Sequence, residues 1–163
     1  MTTSITYPHA ILGTIFLVIQ KKSSTKDADL PSYIDNLVPM LLNKIVVPAT
    51  IPGPKTKILC SREVLHVVAL IVNAIVREGD LRQQNLFYRE LFKLFVTGEP
   101  STLVSSHQEQ VATQFRPLLP EAEIQQAETV QVFVFAVAAM RKHVLLPHVH
   151  LVTIGYSSCG GYQ

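Results

Sequence analysis

The chain has 163 residues, a formal net charge of +2, 48% hydrophobic residues and only 16% charged residues. This length suits one ordinary domain, and so small a net charge does not by itself indicate nucleic acid or a membrane surface as a partner. A chain this rich in aliphatic residues and this poor in charge either buries a large core or exposes apolar faces that another surface must cover.

The two cysteines and the N-terminus bear on the cellular compartment. The spacing of Cys60 and Cys159 does not resemble a disulfide framework, so we expect free thiols in a reducing environment. The N-terminal apolar run has no basic segment before it, and it ends at Lys21 and Lys22 without a small-residue cleavage site. We therefore expect no signal peptide and a location in the cytoplasm and nucleus.

The first part of the chain predicts two helices joined by a polar connection. Residues 8–22 form the first, and the second covers 30–46, where apolar residues recur at helical spacing. Pro39 lies inside the second helix and should bend it or shift its start, since proline removes one backbone hydrogen bond. Residues 47–59 contain three prolines and a glycine and are predicted to be a loop.

A helix over 62–77, capped by Ser61, is predicted to be the centre of the fold. Its polar side chains fall on one narrow strip, and the rest of its circumference is apolar. The members of this strip are Arg62, His66, Asn73 and Arg77. The apolar run is too short to span a bilayer, which takes roughly 20 residues, so neighbouring helices should enclose it.

A capping box of Asp80 and Gln83 predicts the start of the next helix, 81–96. Residues 97–121 contain a glycine and several prolines and are expected to be mostly loop, with a short helix at 107–116.

The last predicted helix covers 122–143 and closes with three basic residues, Arg141 to His143, near the negative end of its dipole. Residues 144–163 are expected to be an irregular tail after the helical domain over 1–143, either an extended or disordered end or sequence foreign to the domain.

Three of these helices align with one another without gaps, and an amphipathic helix precedes each of the later two. Aligned pairs include Ile11 with Val64, Leu12 with Leu65, Leu17 with Leu70, Gln20 with Asn73, His66 with Gln131 and Arg77 with Lys142. Enclosed and half-buried helices that alternate in this way are typical of an α-solenoid, in which stacked helix pairs enclose one helix of each pair. The alternative is an ordinary helical bundle, whose core helices are also apolar.

Three stretches carry a resemblance to a known family. Residues 30–42 resemble the first helix of a HEAT repeat, including its proline. Within that superfamily, residues 68–73 and 135–142 resemble the HEAT-repeat adaptor family of the cytosolic iron–sulfur protein assembly targeting complex, a family also known in nucleotide-excision repair and transcription. The resemblance covers about residues 8–143, although the family tends to have Lys at the position of Ala74.

The resemblance has implications for length and partners. A full member is several times longer, so it implies that this chain is a fragment of a longer solenoid. It also implies that the partners are the other subunits of the targeting complex and iron–sulfur client enzymes of DNA replication and repair.

Candidate chemical groups are few. His148 and His150 would share one face of a strand and form a pair of metal ligands with Cys159 downstream, but no fourth ligand lies at a supporting distance. His66 and Asn73 lie two turns apart, roughly 10 Å along the helix axis, which is too far for a catalytic hydrogen bond. We expect those two side chains to bond neighbouring segments and set the helix register.

The remaining candidates are a lone thiol and scattered cations. No pattern around Cys60 would activate a thiolate, so it is interpreted as a residue at a helix entry. The basic residues of the loop-rich segments are expected to form a solvated rim, because no stacking aromatics are interleaved with them. They are Lys21, Lys22, Lys26, Lys55, Lys57 and Arg62.

The sequence contains no recognisable cofactor-binding motif. There is no phosphate-binding loop, and two cysteines cannot hold an iron–sulfur cluster, which normally needs four thiolates. We expect an all-α, non-enzymatic scaffold that binds protein partners and no cofactor, metal, nucleic acid or membrane. The alternatives are a karyopherin-like or regulatory-subunit HEAT scaffold and a small metal-dependent enzyme that uses His148, His150 and Cys159.

Overall fold

The computed structural model describes residues 3–50, 61–104 and 117–148, and all regular structure in these ranges is helical. The all-α prediction is therefore confirmed for the described part of the chain. The α-helices are α1 (Thr3–Ser24), α2 (Leu37–Leu41), α3 (Val47–Ala49), α4 (Arg62–Arg77), α5 (Leu81–Phe92), α6 (Leu118–Gln125), α7 (Glu128–Ala138) and α8 (Lys142–Leu145).

Helix α4 lies at the centre of the core, between α1 on one side and α7 on the other. Ser61 caps it as predicted, since the hydroxyl oxygen accepts a hydrogen bond from the backbone N–H of Val64 at 3.2 Å. Ten of its side chains are buried around nearly the whole circumference. Full burial of an aliphatic side chain stabilises a fold by about 1.5–3 kcal/mol, so α4 contributes more apolar burial than a half-exposed helix would.

The helix predicted over 30–46 is divided in two. A 3₁₀ helix, Leu30–Ile34, comes first, and α2 then starts at Leu37 under a cap from the side chain of Asn36. Pro39 thus lies in the first turn of α2, where its missing N–H costs no hydrogen bond. The predicted effect of this proline, a shift of the helix start, is confirmed.

Helical structure continues beyond the predicted end at residue 46. A π-helical turn, Leu42–Val46, leads directly into α3, which holds Pro48 in its first turn. The prediction of a loop from residue 47 is therefore wrong for 47–49, because proline is compatible with the start of a helical segment. Residues 51–60 lie outside the described ranges.

Helix α5 begins at the predicted capping box. The Gln83 backbone N–H donates to Asp80 Oδ1 at 2.8 Å, and the Asp80 N–H donates to Gln83 Oε1 at 3.0 Å. A π-helical turn, Lys93–Thr97, extends it to Gly98, whose φ of 73° lies in the left-handed region that glycine adopts without strain.

The prediction of one long helix over 122–143 is wrong. Helix α6 starts earlier, at Leu118, and an extended Gln126 separates it from α7. At the other end, α7 stops at Ala138, and Arg141 is extended with φ −70° and ψ 151°. Tertiary hydrogen bonds of Arg141 hold it there, so the three basic residues do not close a long helix. The short helix predicted over 107–116 lies outside the described residues.

The beginning of the predicted tail is part of the fold. Residue 144 lies in α8, and the 3₁₀ helix Leu146–His148 follows. Val144 is fully buried among core residues. The expectation of irregular structure therefore fails for residues 144–148, and the rest of the tail lies beyond the described residues. Within the described ranges, no helix is long and apolar enough to cross a membrane.

Candidate protein-interaction surface

The polar strip of α4 faces α7 and connects the two helices. His66 Nδ1 lies 3.1 Å from Gln131 Oε1, and these two residues occupy equivalent positions in the sequence alignment. Asn73 Nδ2 donates to the backbone carbonyl of Phe135 at 2.8 Å. The prediction that these two residues bond a neighbouring helix is confirmed, and no hydrogen bond joins His66 to Asn73.

Two further contacts reinforce the junction between α4 and α7. Arg62 Nε lies 3.4 Å from Glu128 Oε2 at the N-terminal ends of both helices. The rings of His66 and Phe135 meet edge to face with centroids 6.2 Å apart. Polar and aromatic contacts therefore span the α4–α7 junction along most of its length.

The junction between α1 and α4 instead leaves an open groove with a volume of 380 Å³. Its apolar floor consists of Phe16, Leu70 and Ala74, and its polar rim holds the side chains Gln20, Ser23, Ser24, Asn73 and Arg77. One hydrogen bond ties α1 to the end of α4: the Ser23 hydroxyl donates to Glu78 Oε2 at 2.7 Å.

Arg77 is the cation of this groove. Its guanidinium donates to Asn73 Oδ1, so Asn73 fixes the position of the cation while its own Nδ2 is held on α7. Arg77 is exposed and forms no ion pair with an acidic residue of the described ranges. A charged group with this geometry has guanidinium N–H donors left for a ligand.

A second groove, of 560 Å³, lies between the 30–41 segment and α5. Ile34, Phe87 and Leu103 contribute apolar surface, and Arg82 and Glu90 contribute charge. Burial alone would raise the pKa of Glu90, but hydrogen bonds from the Thr102 N–H and from Lys93 hold this pKa below its ordinary value. Glu90 is therefore ionised and already has partners within the protein.

Helix α1 exposes an apolar face. Ile11, Leu17 and Val18 are 43%, 64% and 50% exposed. In the register of the sequence alignment, these positions correspond to Val64, Leu70 and Ile71 of α4, and Leu70 lines the groove against α1. The exposed Leu17 of α1 thus corresponds to an α4 position that α1 helps to cover.

The predicted basic residues are dispersed. Lys21, Lys26 and Arg62 are exposed, whereas Lys22 pairs with Asp27 at 3.1 Å. The hydrogen bond to Asp27 raises the pKa of Lys22, and the Asp29 N–H together with Lys22 lowers the pKa of Asp27. This local pair stabilises the turn after α1. Lys55 and Lys57 lie outside the described residues.

The candidate metal ligands remain largely outside the described structure. His150, Cys159 and Cys60 lie beyond its ranges, as does the side chain of His148. Among the described side chains, no group of three or more His, Cys, Asp or Glu residues is arranged to hold a metal ion.

Sequence reasoning missed a buried polar junction. Gln84, which is fully buried, donates to the Val76 carbonyl at 2.8 Å and accepts from the Arg141 N–H at 2.9 Å. Arg141 Nη1 also donates to the Gly79 carbonyl at 2.5 Å. The sequence carries no signal for this junction, because glutamine on an amphipathic helix normally faces solvent.

The described chain is therefore an all-helical protein whose apolar helices α1, α4 and α7 lie side by side and whose surface contains mixed polar and apolar grooves. A family model described as RNAPII transcription regulator C-terminal (MMS19_C) matches residues 1–154. Because this match spans nearly the whole sequence, the chain belongs to that family, and the resemblance to the transcription and excision-repair family is confirmed. No curated protein and no solved structure matches the chain.

Proposed function

We propose that this chain is a non-enzymatic scaffold built from HEAT-like helix pairs, and that it presents its surface to protein partners. The observation that carries this proposal is the pairing of His66 with Gln131 across α4 and α7. These residues occupy equivalent positions in two aligned helices, which supports a stack of repeated units over an ordinary bundle. The order α1–α4–α7 then forms one layer of a solenoid.

The exposed face of α1 supports the same proposal. In a solenoid each repeat buries its flank against the next one, so a terminal flank that lacks a neighbour exposes apolar side chains. Ile11, Leu17 and Val18 form such a flank. A further helix pair or a partner subunit would cover it.

The family membership supports a role in transcription and repair, and the partners that we propose are more specific. They are the other subunits of the cytosolic iron–sulfur assembly targeting complex, together with client enzymes in the cytoplasm and nucleus. In this role the chain would bring the assembly machinery to clients and would not itself hold a cluster.

Affinity purification tests the role. Tagged chain is incubated with purified targeting-complex subunits and, separately, with a cytoplasmic and nuclear extract. We expect stoichiometric recovery of at least one assembly subunit and reduced recovery with a Leu17→Asp/Val18→Asp variant, if the flank of α1 contributes to the interface. A His9→Asp variant is the control for added charge, because His9 is exposed on the same helix at a position roughly opposite Ile11 and Val18.

Two results would contradict this assignment. Recovery of the cargo of nuclear-transport receptors, without any assembly subunit, would favour the alternative HEAT scaffold. Stoichiometric zinc or iron in the purified chain, lost in a His148→Ala/His150→Ala variant, would favour the metal-dependent enzyme.

A further inference from the structure

We propose that the groove between α1 and α4 binds a short extended segment of a partner protein, which places an apolar side chain on the floor and a carboxylate on Arg77. This inference rests on the proposed scaffold role and names the chemistry of one of its contacts. The groove volume of 380 Å³ lies near the lower end of the range for ligand pockets, about 300–1,000 Å³. It therefore suits a few residues of extended chain and is too small for a whole helix.

The polar rim indicates why the segment should be extended. The backbone of an extended peptide has free N–H and C=O groups, whereas a helix satisfies its own. Around the groove, the amide of Gln20 and the hydroxyl oxygens of Ser23 and Ser24 lie beside the apolar floor. Both hydroxyl protons are already donated, to Glu78 and to the Lys21 carbonyl, so these oxygens are left as acceptors for peptide N–H groups.

Arg77 indicates why the segment should carry a carboxylate. Asn73 holds the guanidinium from one side and is itself bonded to α7, so the cation is positioned before a ligand arrives. A planar guanidinium with free N–H groups pairs well with a carboxylate. The nearby acid, Glu78, is already engaged by Ser23 and does not form an ion pair with Arg77 in the described structure.

The composition of the groove favours a peptide over a nucleic acid. A phosphate backbone is bound by several cations in a row, with exposed aromatic rings on which bases stack. This groove contains one cation, and its one aromatic residue, Phe16, is half-buried in the floor. An apolar floor with a single cation matches a segment that contributes one apolar and one acidic side chain.

Nuclear magnetic resonance titration of the full chain tests the inference. The probe is an acetylated and amidated peptide of alternating Leu and Asp residues, compared with the same peptide in which Asn replaces Asp. We expect shifts concentrated at Ser23, Ser24, Asn73 and Arg77, and binding at least tenfold weaker for the Asn peptide, as expected for the loss of one charge-assisted hydrogen bond.

Variants locate the contact. Arg77→Gln should weaken binding of the acidic peptide about tenfold, and Arg77→Lys should retain part of it. Ser24→Glu, which adds a carboxylate at an exposed rim position, should block the groove. Arg82→Gln is the matched control, because Arg82 is an exposed arginine in the other groove. Thermal unfolding of each variant checks that its fold is intact.

Several outcomes would overturn the inference. One is equal binding of the acidic peptide to wild type and to a folded Arg77→Gln variant. Another is Arg77-dependent binding of a single-stranded oligonucleotide without any peptide binding. Recovery of assembly subunits by the wild-type chain, together with no shift from the acidic peptide, would reject the groove but leave the proposed scaffold role standing.

Discussion

The two sides of α4 differ in how they are joined to their neighbours. Toward α7, hydrogen bonds and an ion pair connect the helices from Arg62 to Asn73. Toward α1, the rim stays open, and Ser23 supplies the hydrogen bond at the helix end. Similar apolar helices can therefore form a closed junction, as α4 and α7 do, or an open junction with a groove, as α1 and α4 do. The outcome depends on a few polar side chains between the helices.

This difference suggests a division of roles within one layer of helices. The closed junction fixes the register of α4 against α7, because displaced polar groups would lose their partners. The open junction leaves Arg77 and the polar rim accessible to a ligand. The same Asn73 belongs to both sides, since it bonds the Phe135 carbonyl and also orients Arg77.

The largest expected effect tests whether the central helix contributes more stability than the terminal one. Leu65 and Leu12 are aligned positions, both buried, in α4 and α1. Leu65→Ala should reduce the free energy of unfolding by about 3–4 kcal/mol, because a fully enclosed cavity cannot collapse. Leu12→Ala should cost about 2 kcal/mol, since α1 has an uncovered side and can relax. Urea unfolding measures the loss of stability in each variant. Equal losses would contradict the prediction that α4 contributes more stability than α1.

The second effect concerns the connection between the end of α7 and the α4–α5 turn. Gln84→Ala removes a buried amide and leaves the Arg141 N–H without that acceptor, so we expect a loss of about 2–3 kcal/mol. Asn85→Ala is the matched control, because the Asn85 side chain bonds only the Leu81 carbonyl of its own helix at 3.0 Å. The control should change stability by less than about 0.5 kcal/mol. Similar losses in the two variants would indicate that Gln84 does not bridge the segments in solution.

The third prediction compares the α4–α7 junction with the α1–α4 groove through the aligned residues Asn73 and Gln20. Asn73→Ala should cost about 1–1.5 kcal/mol, because it removes the bond to the Phe135 carbonyl and releases Arg77. Gln20→Ala should cost less than about 0.5 kcal/mol, since Gln20 is exposed at the open groove. Denaturant unfolding at equal protein concentration compares them. A larger loss for Gln20 would reverse the assignment of closed and open junctions.

The fourth prediction concerns Glu90, which lies away from both junctions of α4. It tests how much this one carboxylate contributes to the loss of stability in acid. The pKa of Glu90 is lowered in the folded protein, so its contribution is present above the unfolded-state pKa and is lost as pH falls through the lower folded-state value. Glu90→Gln should therefore reduce stability at neutral pH by less than about 1 kcal/mol and flatten the fall in stability below about pH 4.5. Thermal unfolding between neutral and acidic pH measures this slope. An unchanged slope in the variant would contradict the role of Glu90.

Sequence patterns were informative wherever a local physical rule determines the structure. Ser61, the Asp80–Gln83 box and Pro39 each act on the nearest turn, and their effects were predicted. The bond from His66 to a neighbouring segment was also predicted, but the alignment did not identify Gln131 as its partner. The extended Arg141 was not predictable, because it depends on the tertiary hydrogen bonds that Arg141 donates to Gln84 and to the Gly79 carbonyl. The break at Gln126 has no signal in the sequence either. The groove at Arg77 depends likewise on how far apart two helices lie, which helical periodicity does not specify.

The last expected effect has the opposite sign and concerns Thr129, a polar residue of α7 whose side chain does not bond α4. Thr129 is fully buried, and its hydroxyl has no hydrogen-bond partner in the described structure. Thr129→Val keeps the shape and replaces an unsatisfied polar atom by a methyl group, so it should stabilise the fold by about 0.5–1 kcal/mol. Thr129→Ser keeps the hydroxyl and loses the methyl, and it should instead destabilise the fold by about 1 kcal/mol. Denaturant unfolding of the three proteins measures both shifts. A loss of stability in Thr129→Val would mean that the hydroxyl, like Asn73, holds a bond at the closed junction.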